Sequence, residues 1–522
     1  MNLTFIVAFA TAAIVLQGIR MVVNSWQHSR KAKQLGCGST PMYPCKDPLG
    51  IDNLKQSLVA DKDKLIPELA EKRMDVIREQ ENRYVTTYTI KNLGRTHVFT
   101  VDPKNVQAIL ATQFKDFELG PNRRASLHPL LGTGIFTADG EEWTRSRGLL
   151  RPQFTREQIS QLELEEKHVQ KAMQALPIAA NGWTAETDIQ TIFFRLTIDS
   201  ATEFLFGESV ESQLGALNGL NRIEDSFAAD FDKAQWVCAQ RARFEKLPFL
   251  AENKETRLRD KQVHAFVDKV VSTALTASPS DLEKNSTDEK HHYVFLNALL
   301  EVTRDPVELR SQLLNILLAG RDTTASLLSW TTLMLARNPE VFSKLRETII
   351  STFGTYSNPE NITFATLKSC QYLQYVMNEV LRLYPVVPFN RRSATRDTTI
   401  PTGGGPDGQD PVYIRKGQSV LYSTHVMHRR KDLWGPDADQ FRPDRWANRK
   451  AGWEYIPFNG GPRICIGQQF ALTEAGYVIV RLLQRFDQIA DVNAGKKIRY
   501  NVALTSAPAD KVTVRLHQAE DA

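Results

Sequence analysis

Paired cysteines, a dominant charge and internal repeats are all missing from this sequence of 522 residues. Its five cysteines, at positions 37, 45, 238, 370 and 465, are too few and too scattered for a disulfide framework. None has the Cys-x-x-Cys spacing of a zinc site. Lys and Arg exceed Asp and Glu by only 65 to 60, too thin a surplus to argue for a nucleic-acid partner. No fixed period recurs that would build a solenoid. Hydrophobic residues at 42% and charged residues at 24% lie near globular averages, which excludes disorder and collagen-like repeats. What remains is a reduced, intracellular chain, long enough for one large enzyme domain or for three of ~150 residues.

The amino terminus departs from that average. Residues 3–19 carry no charge, and Met21, Val22 and Val23 extend the apolar run past Arg20. A helix needs ~20 such residues to cross ~30 Å of hydrocarbon, so the segment has the length of an anchor, with Arg20 snorkelling to the interface. A cleaved signal peptide, the rival reading, carries its positive charge ahead of the apolar core; here Arg20, Arg30, Lys31 and Lys33 follow it. The positive-inside rule then makes the short amino end luminal and the bulk of the chain cytosolic. The expected organisation is a transmembrane anchor over residues 1–23, a Gly/Pro-containing connector over 24–60 and a single catalytic domain over 61–522. Sequons at Asn2, Asn285 and Asn361 would then never meet the glycosylation machinery.

Beyond the connector, residues 84–90 and 96–101 are β-branched and aromatic runs joined by Lys91-Asn92-Leu93-Gly94, the pattern of a hairpin. Helical patterns dominate from there to about residue 385, with a polar loop over 278–292. Residues 401–411, with three consecutive glycines and three prolines, read as irregular, and a last amphipathic helix covers 467–486. The fold class expected is mainly α with small β-sheets.

Three strings carry chemistry. In Phe458-Asn459-Gly460-Gly461-Pro462-Arg463-Ile464-Cys465-Ile466-Gly467, glycines and a proline hold a tight loop, and a helix pattern starts just after the cysteine. A thiol at a helix start gains from free amide donors and the positive dipole end, which lower its pKa below ~8.5, and Arg463 adds positive charge. That suits a thiolate poised for a metal; in isolation it equally suits a buried free cysteine at a helix cap. The second string lies in a helix over 313–335, apolar on nearly every face and therefore buried, but interrupted by Ala319-Gly320-Arg321-Asp322-Thr323-Thr324. Charges at mid-helix would cost ~2.5–3.5 kcal/mol each in a bilayer, which argues against a second span. A helix beginning at Asp322 or Thr323 competes with a continuous one, against the helical pattern on both sides. A glycine and back-bonding threonines can open a helix locally and free a carbonyl, making room for O2 and water beside an acid and an alcohol. The third string, Glu379-Val380-Leu381-Arg382, is by pattern alone an exposed i,i+3 ion pair worth ~0.2–0.5 kcal/mol.

The pattern Phe-x-x-Gly-x-Arg-x-Cys-x-Gly over 458–467 resembles the haem-binding loop of the cytochrome P450 monooxygenases at every fixed position. The resemblance implies the cytochrome P450 fold and haem b (iron protoporphyrin IX). Cys465 would be the axial iron ligand, with Phe458 beside its sulfur and Arg463 and Gly467 in the cofactor-binding loop. Thiolate ligation favours O–O cleavage. The string at 319–324 is similar to the family's oxygen-activation motif: Ala319 and Gly320 over the haem face, Thr323 hydrogen-bonding bound dioxygen, Asp322 feeding it protons. Glu379 and Arg382 match the Glu-x-x-Arg motif, 56 residues after Thr323 and 86 before Cys465, and Arg445 is implied to join them in a buried structural network. Trp143 and Arg147 resemble the Trp-x-x-x-Arg pair that binds haem propionates, for which such donors are apt. Arg392 takes a propionate role by its offset in Pro385-Val386-Val387-Pro388-Phe389-Asn390-Arg391-Arg392.

Lys46-Asp47-Pro48-Leu49-Gly50-Ile51, Pro129-Leu130-Leu131-Gly132-Thr133-Gly134-Ile135-Phe136 and Gly403-Gly404-Gly405-Pro406-Asp407-Gly408 are similar to fungal membrane-bound n-alkane and fatty-acid ω-hydroxylases. This implies insertion of one atom of O2 into a terminal C–H bond of a lipophilic substrate. Electrons would come from NADPH through a separate NADPH–cytochrome P450 reductase, at the endoplasmic reticulum membrane. A narrow channel must then present the chain end-on, with Leu127, Phe136, Val386, Val387 and Phe389 as candidate walls. Two rivals are a haem-thiolate isomerase or lyase that needs no reductase, and a haem carrier or sensor. Neither needs the pair Asp322–Thr323.

Overall fold

The computed structural model describes residues 3–154, 162–219, 223–245, 247–276 and 294–520. The expected loop over 278–292 and the sequons at Asn2 and Asn285 lie outside the described residues. The helices used below are α1 (Leu3–Gln34), α2 (Pro121–Leu131), α3 (Gly140–Leu150), α4 (Glu163–Gln174), α5 (Ile189–Phe206), α6 (Ile223–Phe244), α7 (Lys254–Thr276), α8 (Pro306–Arg337), α9 (Pro339–Phe353), α10 (Gln371–Leu383) and α11 (Gln468–Arg485). The strands are β1 (Thr87–Asn92), β2 (Arg95–Thr100), β3 (Phe117–Glu118), β4 (Thr187–Asp188), β5 (Phe389–Ala394), β6 (Thr398–Gly404), β7 (Asp410–Ile414), β8 (Ser419–Ser423), β9 (Phe486–Asp491), β10 (Tyr500–Val502), β11 (Ser506–Pro508) and β12 (Thr513–Gln518).

One unit comprises Met1–Leu54, Ala70–Glu118 and Arg391–Tyr422. Its sheet runs in the order β1-β2-β8-β5-β3, and β1 and β2 form the expected antiparallel hairpin, begun three residues later than the pattern suggests. The strip 401–411 is not irregular: most of it belongs to the antiparallel pair β6 and β7. A slip in register between Ile400 and Gly404 absorbs the exposed Pro401, which has no N–H to give a ladder. Helix α1 runs on through residues 24–34, where a connector was expected. Its foot is tied down by Lys31 Nζ on Asp397 (2.8 Å) and by His28 Nδ1 at the Tyr413 hydroxyl (2.9 Å). Against the expected span, no helix among the described residues is long and apolar enough to cross a membrane. Gln17, Arg20 and Asn24 interrupt the apolar course of α1.

The other unit comprises Lys55–Leu69, Leu119–Asn390 and Ser423–Ala522, and is predominantly helical, with the small sheets β4-β12-β9 and β10-β11. Its axis is α8. Asp305 caps this helix by accepting from Val307 N (2.9 Å), and Pro306 occupies the first turn, where its missing N–H costs nothing. No second helix starts at Asp322 or Thr323. Helix α8 packs against α5, α7, α10 and α11, which explains why its sequence is apolar all round. Helix α11 spans the expected last segment almost residue for residue.

Candidate active site

The cysteine loop is built by backbone geometry. Cys465 N–H donates to Phe458 O (2.9 Å), and Gly461–Arg463 form a short 3-10 turn closed by Ile464 N to Gly461 O (3.0 Å). Gly460 has no room for a side chain, since a Cβ there would stand 2.6 Å from the Trp453 ring. Cys465 retains exposed surface, whereas Cys238 and Cys370 are buried. Its sulfur nevertheless lies deep among protein atoms, and that desolvation pushes the thiol up from its ordinary value. The Gly467 N–H and the Arg147 guanidinium pull the other way. The donors expected at the helix start are thus present and pull the thiol down, against the desolvation that pushes it up.

Three donors flank this loop. Arg147 Nη1 donates to Ile464 O (3.2 Å), and both Arg147 and Arg463 stack on the Trp143 ring, at 5.8 and 4.4 Å. Arg463 also forms an ion pair with Asp139 (2.7 Å), whose carboxylate takes the N–H groups of Leu119 and Gly120 as well. Asp139 went unremarked in the sequence because it stands where a helix cap belongs, just before α3, yet its side chain makes no cap bond.

Between Ser311 and Leu335, α8 is buried at every position but three: Ala319, Gly320 and Thr323 are half-exposed. Positions i, i+1 and i+4 share a helix face, so the helix opens to solvent on that one face at the expected motif. The helix itself does not open. Thr323 Oγ1 donates to Ala319 O (2.6 Å), so the carbonyl expected to be free is taken and the α-helix is continuous. Behind this face Arg321 is buried between two acids, Asp232 on α6 and Asp322 Oδ1 (3.1 Å). Burial raises Asp322 from the usual carboxylate range to about 6, with Arg321 and Gln235 opposing and Asp232 adding to the rise.

The Glu379–Arg382 pair is fully buried rather than exposed. Arg382 forks onto Glu379 through Nε and Nη2 (both 2.9 Å), while Nη1 reaches the carbonyls of His428 (2.8 Å) and Ala438 (2.6 Å). Arg445 Nε joins Glu379 Oε1 (2.8 Å), as do Arg442 N–H (2.9 Å) and, at the other oxygen, Trp446 Nε1 (3.0 Å). His428 is neutral, held down to about 3 by burial and by Arg382.

Of the candidate channel walls, Phe136, Val387 and Phe389 are half-buried, whereas Leu127 and Val386 sit inside packed hydrophobic clusters. Arg392 lies in the first unit, buried on β5. A feature absent from the sequence reading is a pair of buried acids, Glu165 on α4 and Glu474 on α11. Ser200 Oγ donates to Glu165 (3.0 Å), and burial raises Glu165 to about 7 and Glu474 well above its ordinary value. Thr324 and Ser200 face Glu474.

A thiol met by an amide donor, two guanidinium groups and an indole beside it, and a helix face of small residues backed by a buried acid make a donor set suited to haem: sulfur for iron, cations for the propionates. The comparisons agree. The family model described as Cytochrome P450 matches residues 65–512. The chain is 50% identical to a protein named cytochrome P450 monooxygenase g430 from Fusarium sp, over 97% of this chain and 89% of that one. It is 47% identical to cytochrome P450 52A13 of Debaryomyces hansenii (87% and 86% covered) and 50% identical to cytochrome P450 52A6 of Candida tropicalis (75% and 76%). The chain belongs to the cytochrome P450 family and is a monooxygenase of that family.

Proposed function

We propose that the enzyme hydroxylates long-chain n-alkanes or fatty acids at the terminal carbon, with electrons from NADPH delivered by a separate NADPH–cytochrome P450 reductase. The single observation that carries the monooxygenase chemistry is the half-exposed face Ala319–Gly320–Thr323 with Asp322 buried behind it. Haem would be held by Cys465, with Trp143, Arg147 and Arg463 toward its propionates, and when bound would supply reductive activation of O2. The chain's own residues manage protons and position. Asp322, raised to about 6, can hold a proton near neutral pH and release it across the turn of α8. Thr323 spends its own proton on Ala319 O, so its oxygen faces the opening as an acceptor for water. Glu379, Arg382 and Arg445 hold the fold around the thiol loop and take no part in the reaction.

The substrate class rests on the strings shared with fungal ω-hydroxylases, and on Phe136, Val387 and Phe389 as half-buried apolar walls. Attachment to the endoplasmic reticulum membrane through α1, with the catalytic part in the cytosol, fits such substrates. It is supported by the large apolar side chains that α1 exposes, among them Phe5, Phe9 and Leu16. Reconstitution with reductase, NADPH and either hexadecane or palmitate tests the reading by mass spectrometry of the alcohols. Terminal alcohol is expected; only subterminal alcohols, or none that depends on NADPH, would reject it.

A further inference from the structure

The segment between α2 and α3 is gripped at one peptide. Phe136 N–H donates to Asn315 Oδ1 (3.2 Å), and Phe136 O accepts from Arg123 Nε (3.0 Å). Asn315 is fully buried in α8, one turn before Ala319. Its Nδ2 donates to Leu131 O (3.0 Å), at the end of α2, and to Ser311 O (2.8 Å). Both polar atoms of this amide are used, and two of its three hydrogen bonds tie the neighbouring segment to the helix.

The loop is shaped to fit that grip. Gly132 has φ +63°, and a Cβ there would fall 2.2 Å from Ser311 Oγ; at Gly134 it would fall 2.4 Å from Asn315 Nδ2. Thr137 Oγ1 closes the turn, donating to Gly132 O (2.7 Å) and accepting from Gly134 N (2.9 Å). The Phe136 ring, by contrast, is only half-buried, so packing alone does not fix it. Its backbone does. An asparagine within the apolar stretch Leu313–Leu318 of α8 makes little sense for a core that could use leucine there, but a clear one for a helix that must hold a particular peptide.

We propose that Asn315 and Arg123 are specificity-determining positioning residues. They hold the Phe136 peptide against the helix that carries Ala319, Asp322 and Thr323, and so set which carbon of the substrate chain is presented. The inference rests on the wall role proposed above for Phe136.

The test uses the full-length holoenzyme with reductase, NADPH and palmitate, comparing the parent with Asn315→Leu, Arg123→Met and Phe136→Ala. Arg123 is half-buried, so its variant keeps the test open if Asn315→Leu folds poorly. Amide hydrogen exchange over residues 132–138 should speed up about tenfold in Asn315→Leu and Arg123→Met. The ratio of terminal to subterminal alcohol should fall severalfold in both, in the same direction as in Phe136→Ala. The band of the reduced carbon monoxide complex should keep its amplitude per protein. Faster exchange with a product ratio within about twofold of the parent, while Phe136→Ala shifts it, would overturn the positioning role. A Phe136→Ala ratio like the parent's removes the wall and the proposal with it. A parent that makes no NADPH-dependent alcohol overturns the substrate reading instead, and that measurement alone identifies the case.

Discussion

Glu379→Gln is the most searching single substitution, because it changes one atom type in a site closed off from the surface. The carboxylate accepts five hydrogen bonds: Arg382 Nη2, Arg445 Nε and Arg442 N–H at one oxygen, Arg382 Nε and Trp446 Nε1 at the other. However the amide of glutamine is set, its NH2 meets at least two of these donors head-on, and Arg382 keeps its charge with 0% exposure and no anion facing it. Breaking a buried pair by removing one partner costs about 3–5 kcal/mol. With an unfolding entropy of about 2.1 cal/mol/K per residue, a chain of 522 residues has about 1.1 kcal/mol/K, so the midpoint should fall by about 3–5 °C. Asp444→Asn is the internal control. It breaks the ion pair with Lys344 (2.6 Å) one residue from Arg445, but both partners are more than half exposed, so the change should stay below about 1 °C. The assays are a circular dichroism melt and the ratio of haem to protein after purification. The variant should lose both midpoint and haem. A Glu379→Gln chain that melts within 1 °C of the parent and keeps its full haem would refute the reasoning, because the network would then be dispensable.

Three other expectations follow from the same geometry. Glu165 has a folded pKa of about 7, raised by burial and by Glu203 against the pull of His168 and Ser200, so its stabilising contribution is complete below about 4.5 and is lost as pH rises through 7. Melting midpoints at pH 5 and pH 8 should therefore differ less in Glu165→Gln than in the parent, and equal differences reject this assignment of the proton. Asp322→Asn should cut alcohol formed per NADPH by about 10²-fold while leaving the carbon monoxide band of the reduced protein in place, as loss of a proton donor does; undiminished coupling would remove Asp322 from the proton route. Val387→Phe places a ring on a half-buried wall and should change chain-length preference or the terminal to subterminal ratio, with unchanged product profiles counting against that wall.

The parts of this site that were legible in the sequence are those written in consecutive residues. The loop 458–467, the polar turn within α8 and the helix 467–486 could each be read from one string, because glycine, proline and helical periodicity act locally. The start of α8 was not read: the helix begins at Pro306, capped by Asp305, seven residues before the expected Leu313. The rest depends on partners far along the chain. Glu379 and Arg382 show the same three-residue spacing whether exposed or buried, and only Arg442, Arg445 and Trp446, some 65 residues on, make the pair buried. Glycines and prolines at 401–411 suggest irregularity, yet β6 and β7 pair across them by slipping register. The thiol pKa could not be read from the helix start, since its sign depends on how deep the sulfur lies. Glu165 and Glu474 stand 309 residues apart, and nothing near either one announces the other.

Arg321 shows how a core helix can carry an acid at all. The face of α8 that carries Arg321 and Asp322 is buried, so a lone carboxylate at Asp322 would have to give up water without compensation. Arg321 supplies one positive charge but faces two carboxylates, Asp232 and Asp322, so the group is one positive charge short of neutrality. The two acids differ in what else can stabilise them. Asp232 is 53% exposed and keeps water, whereas Asp322 is 8% exposed and has only Arg321 and Gln235. The proton that makes up the shortfall therefore belongs on Asp322, which is why its pKa reaches about 6 despite an arginine at 3.1 Å. A stronger pairing, with Asp232 absent, would leave Asp322 a permanent anion with nothing to donate. Without Arg321 it would hold its proton too firmly to release it. The one arginine shared between an exposed and a buried acid sets Asp322 between those limits, within reach of neutral pH and one residue from the hydroxyl of Thr323.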